Sequence, residues 1–226
     1  MRPARVRQRL PALSWVQKSL LTGAVLFVAW ETVTVQPGLA WRALHDGIIY
    51  IGGPLALGVA YRRRLGWRVN RAALRNTVLL TLFVLPFYLV GSSLPSIRGH
   101  YPMWYTTTAL ESFLPHAVLQ FTVALAAESY FRGLLCVGVS DLGRKAAFIS
   151  PVVYAFQHIG KPPIELLLSG PTDVLFGLVD YESDSILPSV VAHGVGLNVL
   201  DWLVLHDPLL PPEQVVAWLS WLPVSL

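Results

Sequence analysis

Apolar residues come in long runs along this chain, and short polar or basic segments separate the runs. A run of about 20 apolar residues is long enough for a helix to cross the hydrocarbon core of a membrane. Helices are favoured there because backbone polar groups must be satisfied within the segment. The pattern therefore predicts an all-α fold, a polytopic transmembrane helix bundle with about seven spans. In chain order, the predicted spans are 20–33, 48–61, 73–90, 117–139, 146–159, 164–179 and 186–204.

Prolines and acidic residues predict where these helices are interrupted. Pro115 and Pro171 each lie within an apolar run, and proline disfavours a helix interior, so we expect a break at both. Asp173 is either a buried acid of this segment or the cap of a helix that starts after the second break. Residues 180–184 are predicted to form an acidic loop. Residues 215–222 are predicted to form an amphipathic helix at the membrane surface or a marginal eighth segment.

The predicted spans form a single bundle in three parts. Residues 1–116 supply N-terminal helices and loops, residues 117–204 the core helices, and residues 205–226 an interfacial tail. The first apolar run follows a basic head without a small-residue cleavage pattern, so we expect a retained span.

Composition supports a membrane protein and gives its orientation. Of the 226 residues, 54% are hydrophobic and 13% are charged, whereas about 25% charged residues are typical of soluble proteins. The net charge of +4 does not indicate nucleic-acid binding, because most basic residues lie in 1–18, 62–75 and 144–145, beside apolar runs. Basic loops favour the cytoplasmic side. We therefore expect a multi-pass protein of a bacterial or archaeal cell membrane with a cytoplasmic N-terminus.

Four ionisable side chains interrupt the apolar runs of the core helices, namely Glu128, Arg132, His158 and His193. A charge near the centre of a bilayer costs at least about 2.5–3.5 kcal/mol unless it is paired or hydrated. Glu128 and Arg132 have the i, i+4 spacing of a helical ion pair, and the two histidines lie at overlapping depths. Two imidazoles and a carboxylate are also the ligand set of a zinc hydrolase. A structural ion pair with hydrogen-bonded packing histidines explains the same residues, so both interpretations stay open here.

Three segments of the core resemble a known family. Residues 127–133, with the sequence AESYFRG, are similar to the EExxFRG motif of the CPBP group, the CAAX prenyl protease and bacteriocin-processing intramembrane metalloproteases. Tyr154 and His158 resemble its FxxxH motif. Residues 176–178 and 185–189, followed by His193, resemble its third block.

This resemblance implies an activity and assigns roles. It implies a membrane endopeptidase that hydrolyses a membrane-embedded peptide, a prenylated tail or a sorting signal. Glu128 would activate the water, and Arg132 would orient Glu128. His158 and His193, with Glu128, would bind a divalent metal, zinc being the first choice, or position the water. Asn198 would help to stabilise the oxyanion.

The chain departs from the family pattern at two positions. Ala127 stands where the motif has its first glutamate. Leu197 stands where the family has a polar residue four positions after the histidine, here His193, and Asn198 follows one position later. Five residues turn a helix through about 500°, so Asn198 would point away from His193 unless Gly194 and Gly196 allow a π-bulge.

Two non-peptidase hypotheses follow from the same residues. The departures at Ala127 and Leu197 favour a catalytically inactive relative that acts as a scaffold, chaperone or immunity protein. A proton-relay transporter would also place ionisable residues inside a membrane, although the sequence has no inverted repeat of the transporter kind. Ser129 has no activating base in the sequence pattern, which argues against a serine peptidase.

Overall fold

The structure, a computed structural model, describes residues 12–226, and the secondary structure of this part consists of helices with no strand. The all-α fold predicted from the apolar runs is confirmed. The basic cluster before residue 12 lies outside the described residues. The helices are α1 (Trp15–Thr32), α2 (Leu39–Asp46), α3 (Gly53–Tyr61), α4 (Arg71–Gly91), α5 (Pro95–Arg98), α6 (Leu110–Glu128), α7 (Ser150–Gln157), α8 (Pro163–Ser183), α9 (Leu187–Val204) and α10 (Pro212–Leu219).

Three segments between these helices wind differently. A π-helical segment, Gly47–Gly52, joins α2 to α3, and a second, Ser129–Leu134, extends α6. The segment Val137–Phe148 consists mostly of 3₁₀ turns, with breaks in the winding at Val139 and Gly143.

Four helical stretches of the described chain are long and apolar enough to cross a membrane, which makes this an integral membrane protein. They are Leu39–Tyr61, Arg71–Gly91, Leu110–Leu134 and Leu187–Val204. The 18 residues of α1 and the 21 residues of α8 make the predicted total of about seven spans compatible with the structure. That total, the cytoplasmic N-terminus and the three-part division of the chain stay predictions.

Several predicted helix boundaries differ from those observed. The helices α6 and α8 run through Pro115 and Pro171 without a break, because neighbouring helices in a membrane protein can satisfy the freed backbone groups. The helix predicted over 146–159 is reduced to the eight residues of α7. Eight residues span about 12 Å, less than half of the hydrocarbon core.

The predicted acidic loop over 180–184 is also wrong, because α8 continues to Ser183 and only Asp184 lies beyond it. Asp180 is fully buried in α8 and accepts a hydrogen bond from the backbone N–H of Ser189 at 3.2 Å, in the first turn of α9. The Ser189 hydroxyl donates to the same carboxylate. Asp180 therefore caps α9 across the turn that joins it to α8, and so helps to orient the helix that carries His193.

Helix α9 lies at the centre of the bundle and packs against α4, α6 and α8, most extensively against α4. Small residues make this close packing possible. A Cβ at Gly194 would overlap the ring of Phe121 from α6, and one at Gly196 would overlap the ring of Tyr88 from α4. The central helix is thus held on two sides by aromatic rings that rest on its glycines.

The π-helical extension of α6 is anchored by the N-terminal helices. The Tyr130 hydroxyl donates to the Gly23 carbonyl of α1 at 2.8 Å, and the Ser19 hydroxyl donates to the Leu134 carbonyl at 3.0 Å. The ring of Tyr130 also stacks on that of Tyr50, with centroids 4.3 Å apart. These contacts fix the end of the helix where Glu128 and Arg132 lie.

Candidate active site

Glu128, Arg132 and His193 come together at the centre of the bundle. Glu128 is the last residue of α6, Arg132 lies in the π-helical extension, and His193 lies in α9. The Nδ1 atom of His193 is 2.6 Å from Oε1 of Glu128, and Nε of Arg132 is 3.0 Å from Oε2 of the same carboxylate. Glu128 is 0% exposed and Arg132 1%, whereas the His193 side chain is 16% exposed. The carboxylate therefore lies between a buried cation and a partly accessible imidazole.

Asp173 provides a second carboxylate for Arg132, a contact that the sequence did not predict. Its Oδ1 faces Nη1 of Arg132 in an ion pair, and its Oδ2 accepts a hydrogen bond of 2.5 Å from the Ser150 hydroxyl. The predicted helix cap at Asp173 is wrong, because this residue is fully buried within α8. An acid buried in an apolar helix was the available signal.

Arg132 meets both carboxylates as a charge contact. Neither Glu128 Oε2 nor Asp173 Oδ1 has hydrogen-bond geometry with the guanidinium, although both lie within ion-pair distance. The charges attract strongly because they are close together and buried. Hydrogen bonding adds little, because the angles are poor.

Aromatic rings enclose the Arg132 guanidinium. Its Cζ atom lies 5.1 Å from the ring centroid of Tyr154 and 5.6 Å from that of Phe176. A guanidinium within about 6 Å of an aromatic ring is attracted by the ring quadrupole. Residues of all three family-like segments therefore converge on this guanidinium.

His158 contacts Tyr154 and Glu165. It ends α7, and its Nδ1 is 2.9 Å from the Tyr154 carbonyl oxygen. Its ring centroid lies 4.1 Å from that of Tyr154, and its Nε2 is 3.6 Å from Oε1 of Glu165. Within residues 12–226, the polar contacts of His158 include neither Glu128 nor His193. Tyr154 therefore contacts His158 on one hand and Arg132 on the other, and Arg132 is linked to His193 through Glu128.

Asn198 does not join the polar cluster. Its amide donates to the backbone carbonyls of Ala117 at 3.2 Å and Gly194 at 2.8 Å. Helix α9 is a regular α-helix from Leu187 to Val204, so the π-bulge considered for its two glycines is absent. Leu197 instead packs in an apolar cluster with Leu200. The oxyanion role of Asn198 stays a prediction.

The predicted zinc ligands do not form a three-ligand group. No three His, Cys, Asp or Glu side chains of the described chain converge in a way that could hold a metal ion. Both oxygens of Glu128 face other protein groups, and the ion-pair partner of His158 is Glu165. A catalytic zinc ion needs three protein ligands as a rule, so the donors present do not fit one.

A second polar cluster surrounds Glu165 in the first turn of α8. The Tyr101 hydroxyl lies 2.9 Å from both carboxylate oxygens, and the Lys161 ammonium lies 3.1 Å from Oε1. Burial, followed by the nearby Glu165 carboxylate, raises the pKa of Tyr101 well above its usual value, so the hydroxyl stays a donor. Sequence reasoning missed Glu165. Its i, i+4 spacing from Lys161 was the only local signal.

Comparison with known proteins finds a family that matches these helices. Residues 109–198 match the family model described as type II CAAX prenyl endopeptidase Rce1-like. No curated protein and no solved structure matches the chain. The matched region runs from the start of α6 into α9 and contains Glu128, Arg132, His158, Asp173 and His193. The resemblance to the CAAX protease group is thus confirmed: the part of the chain that builds the site matches the Rce1-like family of type II CAAX prenyl endopeptidases.

Proposed function

We propose that this protein is an intramembrane endopeptidase that hydrolyses a peptide bond near a prenylated cysteine. The observation that carries the proposal is the His193 imidazole, held at 2.6 Å by a buried carboxylate within the region that matches the family. Burying Glu128 and Arg132 costs free energy, and the arrangement leaves one functional group partly exposed, the ring of His193. A membrane-embedded, prenylated substrate suits a site built from membrane helices.

The contact with Glu128 determines how His193 presents its ring. A carboxylate only accepts hydrogen bonds, so Nδ1 of His193 carries the proton that is donated to Glu128. The other ring nitrogen, Nε2, is then directed to the accessible side. In hydrolases of the Ser-His-Asp type, a carboxylate orients a histidine and stabilises its charged form in the same way. Glu128 is fully buried, so it acts on the reaction through His193.

His158 supplies the second imidazole. The Tyr154 carbonyl can only accept, so Nδ1 of His158 carries a hydrogen and Nε2 of the neutral ring is a free acceptor. Peptide hydrolysis needs one group that takes a proton from water and one that gives a proton to the leaving nitrogen. We assign the first role to His158. The second falls to His193, beside which Glu128 supplies a negative charge.

The test is cleavage of a fluorogenic peptide that carries a farnesylated cysteine in a C-a-a-X tail. We expect His158→Ala and His193→Ala each to lower kcat/KM by about 100-fold or more, the contribution of a general acid or base. His206→Ala is the matched control, because His206 is exposed and lies beyond the end of α9. Cleavage that survives both substitutions would refute the assignment.

The inactive-relative hypothesis is distinguished in the same assay. It rests on Ala127, which replaces an acid of the motif with a methyl group. An unmodified chain without activity, together with an active Ala127→Glu variant, would establish an impaired relative. Activity of the unmodified chain would exclude it.

A further inference from the structure

We propose that Glu165 holds the hydrolytic water against His158, in place of the acid that the motif lacks at Ala127. This inference rests on the proposed peptidase function. It assigns a catalytic carboxylate to α8, outside the three family-like segments, and it makes His158 and Glu165 the pair that binds the attacking water.

The gap between the His158 ring and the Glu165 carboxylate fits a water molecule that donates a hydrogen to each. Nε2 of neutral His158 and Oε1 of Glu165 are both acceptors, and they lie 3.6 Å apart, beyond hydrogen-bond range. A water at about 2.8 Å from each atom completes a triangle on this base. It donates one hydrogen to each acceptor. Its lone pairs then point away from the protein groups and towards an incoming carbonyl carbon.

Glu165 is positioned for this role by two donors. Lys161 donates to Oε1 at 3.1 Å, and the single hydroxyl hydrogen of Tyr101 can be donated to Oε2 at 2.9 Å. Each carboxylate oxygen has two lone pairs, so one lone pair of Oε1 remains for a hydrogen of the water. The Glu165 side chain is 22% exposed and that of His158 is 12% exposed, which gives water access to both.

The other acids of the region do not offer this geometry. Glu128 is fully buried, and its two oxygens face His193 and Arg132. The methyl group of Ala127 packs against an apolar cluster and accepts no hydrogen bond. Across residues 12–226, Glu165 is the carboxylate that lies within 4.0 Å of His158.

The chemical step balances with these groups alone. The water oxygen bonds to the scissile carbonyl carbon, and the carbonyl π pair moves to its oxygen, while one water proton passes to Nε2 of His158. Glu165 then faces an imidazolium and stabilises it as an ion pair. Collapse of the tetrahedral intermediate breaks the C–N bond, and the leaving nitrogen takes a proton from His193. The product carboxylic acid gives up its proton, and proton exchange with solvent restores both rings.

The experiment removes the carboxylate and then returns one at the motif position. We expect Glu165→Gln to lower kcat for the farnesylated peptide by about 100-fold, with KM changed by no more than about twofold. Adding Ala127→Glu to this variant should raise kcat by about tenfold or more, because the second carboxylate comes from the position that the motif uses. Glu182→Gln is the matched control, since Glu182 is an exposed acid near the other end of α8.

Each outcome decides the question. A role limited to holding Lys161 and Tyr101 predicts no rescue by Ala127→Glu, so loss of activity without rescue overturns the proposal. Full activity of Glu165→Gln also overturns it. If that variant is fully active while His193→Ala is inactive, the inference fails and the peptidase assignment stands. If the unmodified chain and Ala127→Glu are both inactive, the peptidase assignment fails and the inference falls with it.

Discussion

Replacement of Arg132 by methionine is the sharpest test of how the buried charges hold the bundle together. The guanidinium is 1% exposed and faces two carboxylates, Glu128 and Asp173, that are each 0% exposed. Methionine keeps an unbranched side chain but removes the positive charge. Two acids would then be buried without the guanidinium that they share, beside the rings of Tyr154 and Phe176.

The expected loss follows from the cost of leaving a buried charge without its partner. Removal of one member of a buried pair costs about 3–5 kcal/mol. For a chain of this length, each kcal/mol lowers Tm by about 2–4 °C, so we expect a fall in Tm of about 6–20 °C. Asp173→Asn added to Arg132→Met should recover part of this loss, because it removes one of the two unpaired charges. The two substitutions should therefore be strongly non-additive.

The measurement is thermal unfolding of the purified protein in detergent micelles, followed by tryptophan fluorescence or circular dichroism. Arg132→Met, Asp173→Asn and the double variant form a double-mutant cycle, which isolates the coupling between the two residues. Arg75→Met is the control, because Arg75 is an exposed arginine whose side chain donates a hydrogen bond to Asn76. A Tm for Arg132→Met within about 2 °C of the unmodified protein would refute the reasoning, since it implies a cost below about 1 kcal/mol.

Two further predictions concern the metal and the central helix. Because the described residues hold no three-ligand group, we expect a strong chelator to change cleavage by less than about twofold, against about 100-fold for loss of a catalytic group. Loss of cleavage on chelation, with recovery on addition of zinc, would contradict this. Gly196→Ala should force the Tyr88 ring away from α9 and cost about 1–3 kcal/mol through overpacking, read as a lower Tm. An unchanged Tm would show that the two helices can separate without loss.

Local patterns predicted the parts of the site that lie close together in the chain. The contact between Glu128 and Arg132 follows from their i, i+4 spacing, and the structure contains it. The contact between Glu128 and His193 joins residues 65 positions apart. It could be anticipated only through the resemblance to a family and through similar depths in the membrane. Depth alone left the lateral position of His158 undetermined, and it lies beside Glu165.

The missed contacts share one physical cause. Asp173 was interpreted as a cap because Pro171 suggested a helix start, yet α8 continues through this proline. Once the helix is continuous, Asp173 faces inward towards Arg132. Glu165 is brought to His158 by the packing of α8 against α7. In both cases tertiary packing, which a single sequence does not display, decided which partner the acid meets.

The π-helical winding of Ser129–Leu134 has a consequence for how this chain can vary in length. The N–H of Leu135 donates to the Tyr130 carbonyl at 3.2 Å, five residues back, so this turn holds one residue more than an α-helical turn. Deletion of a single residue here would restore α winding and rotate the following residues by about 100°. Arg132 meets Asp173 only at its present rotation. The number of residues in this segment is therefore constrained, and relatives should align across it without gaps.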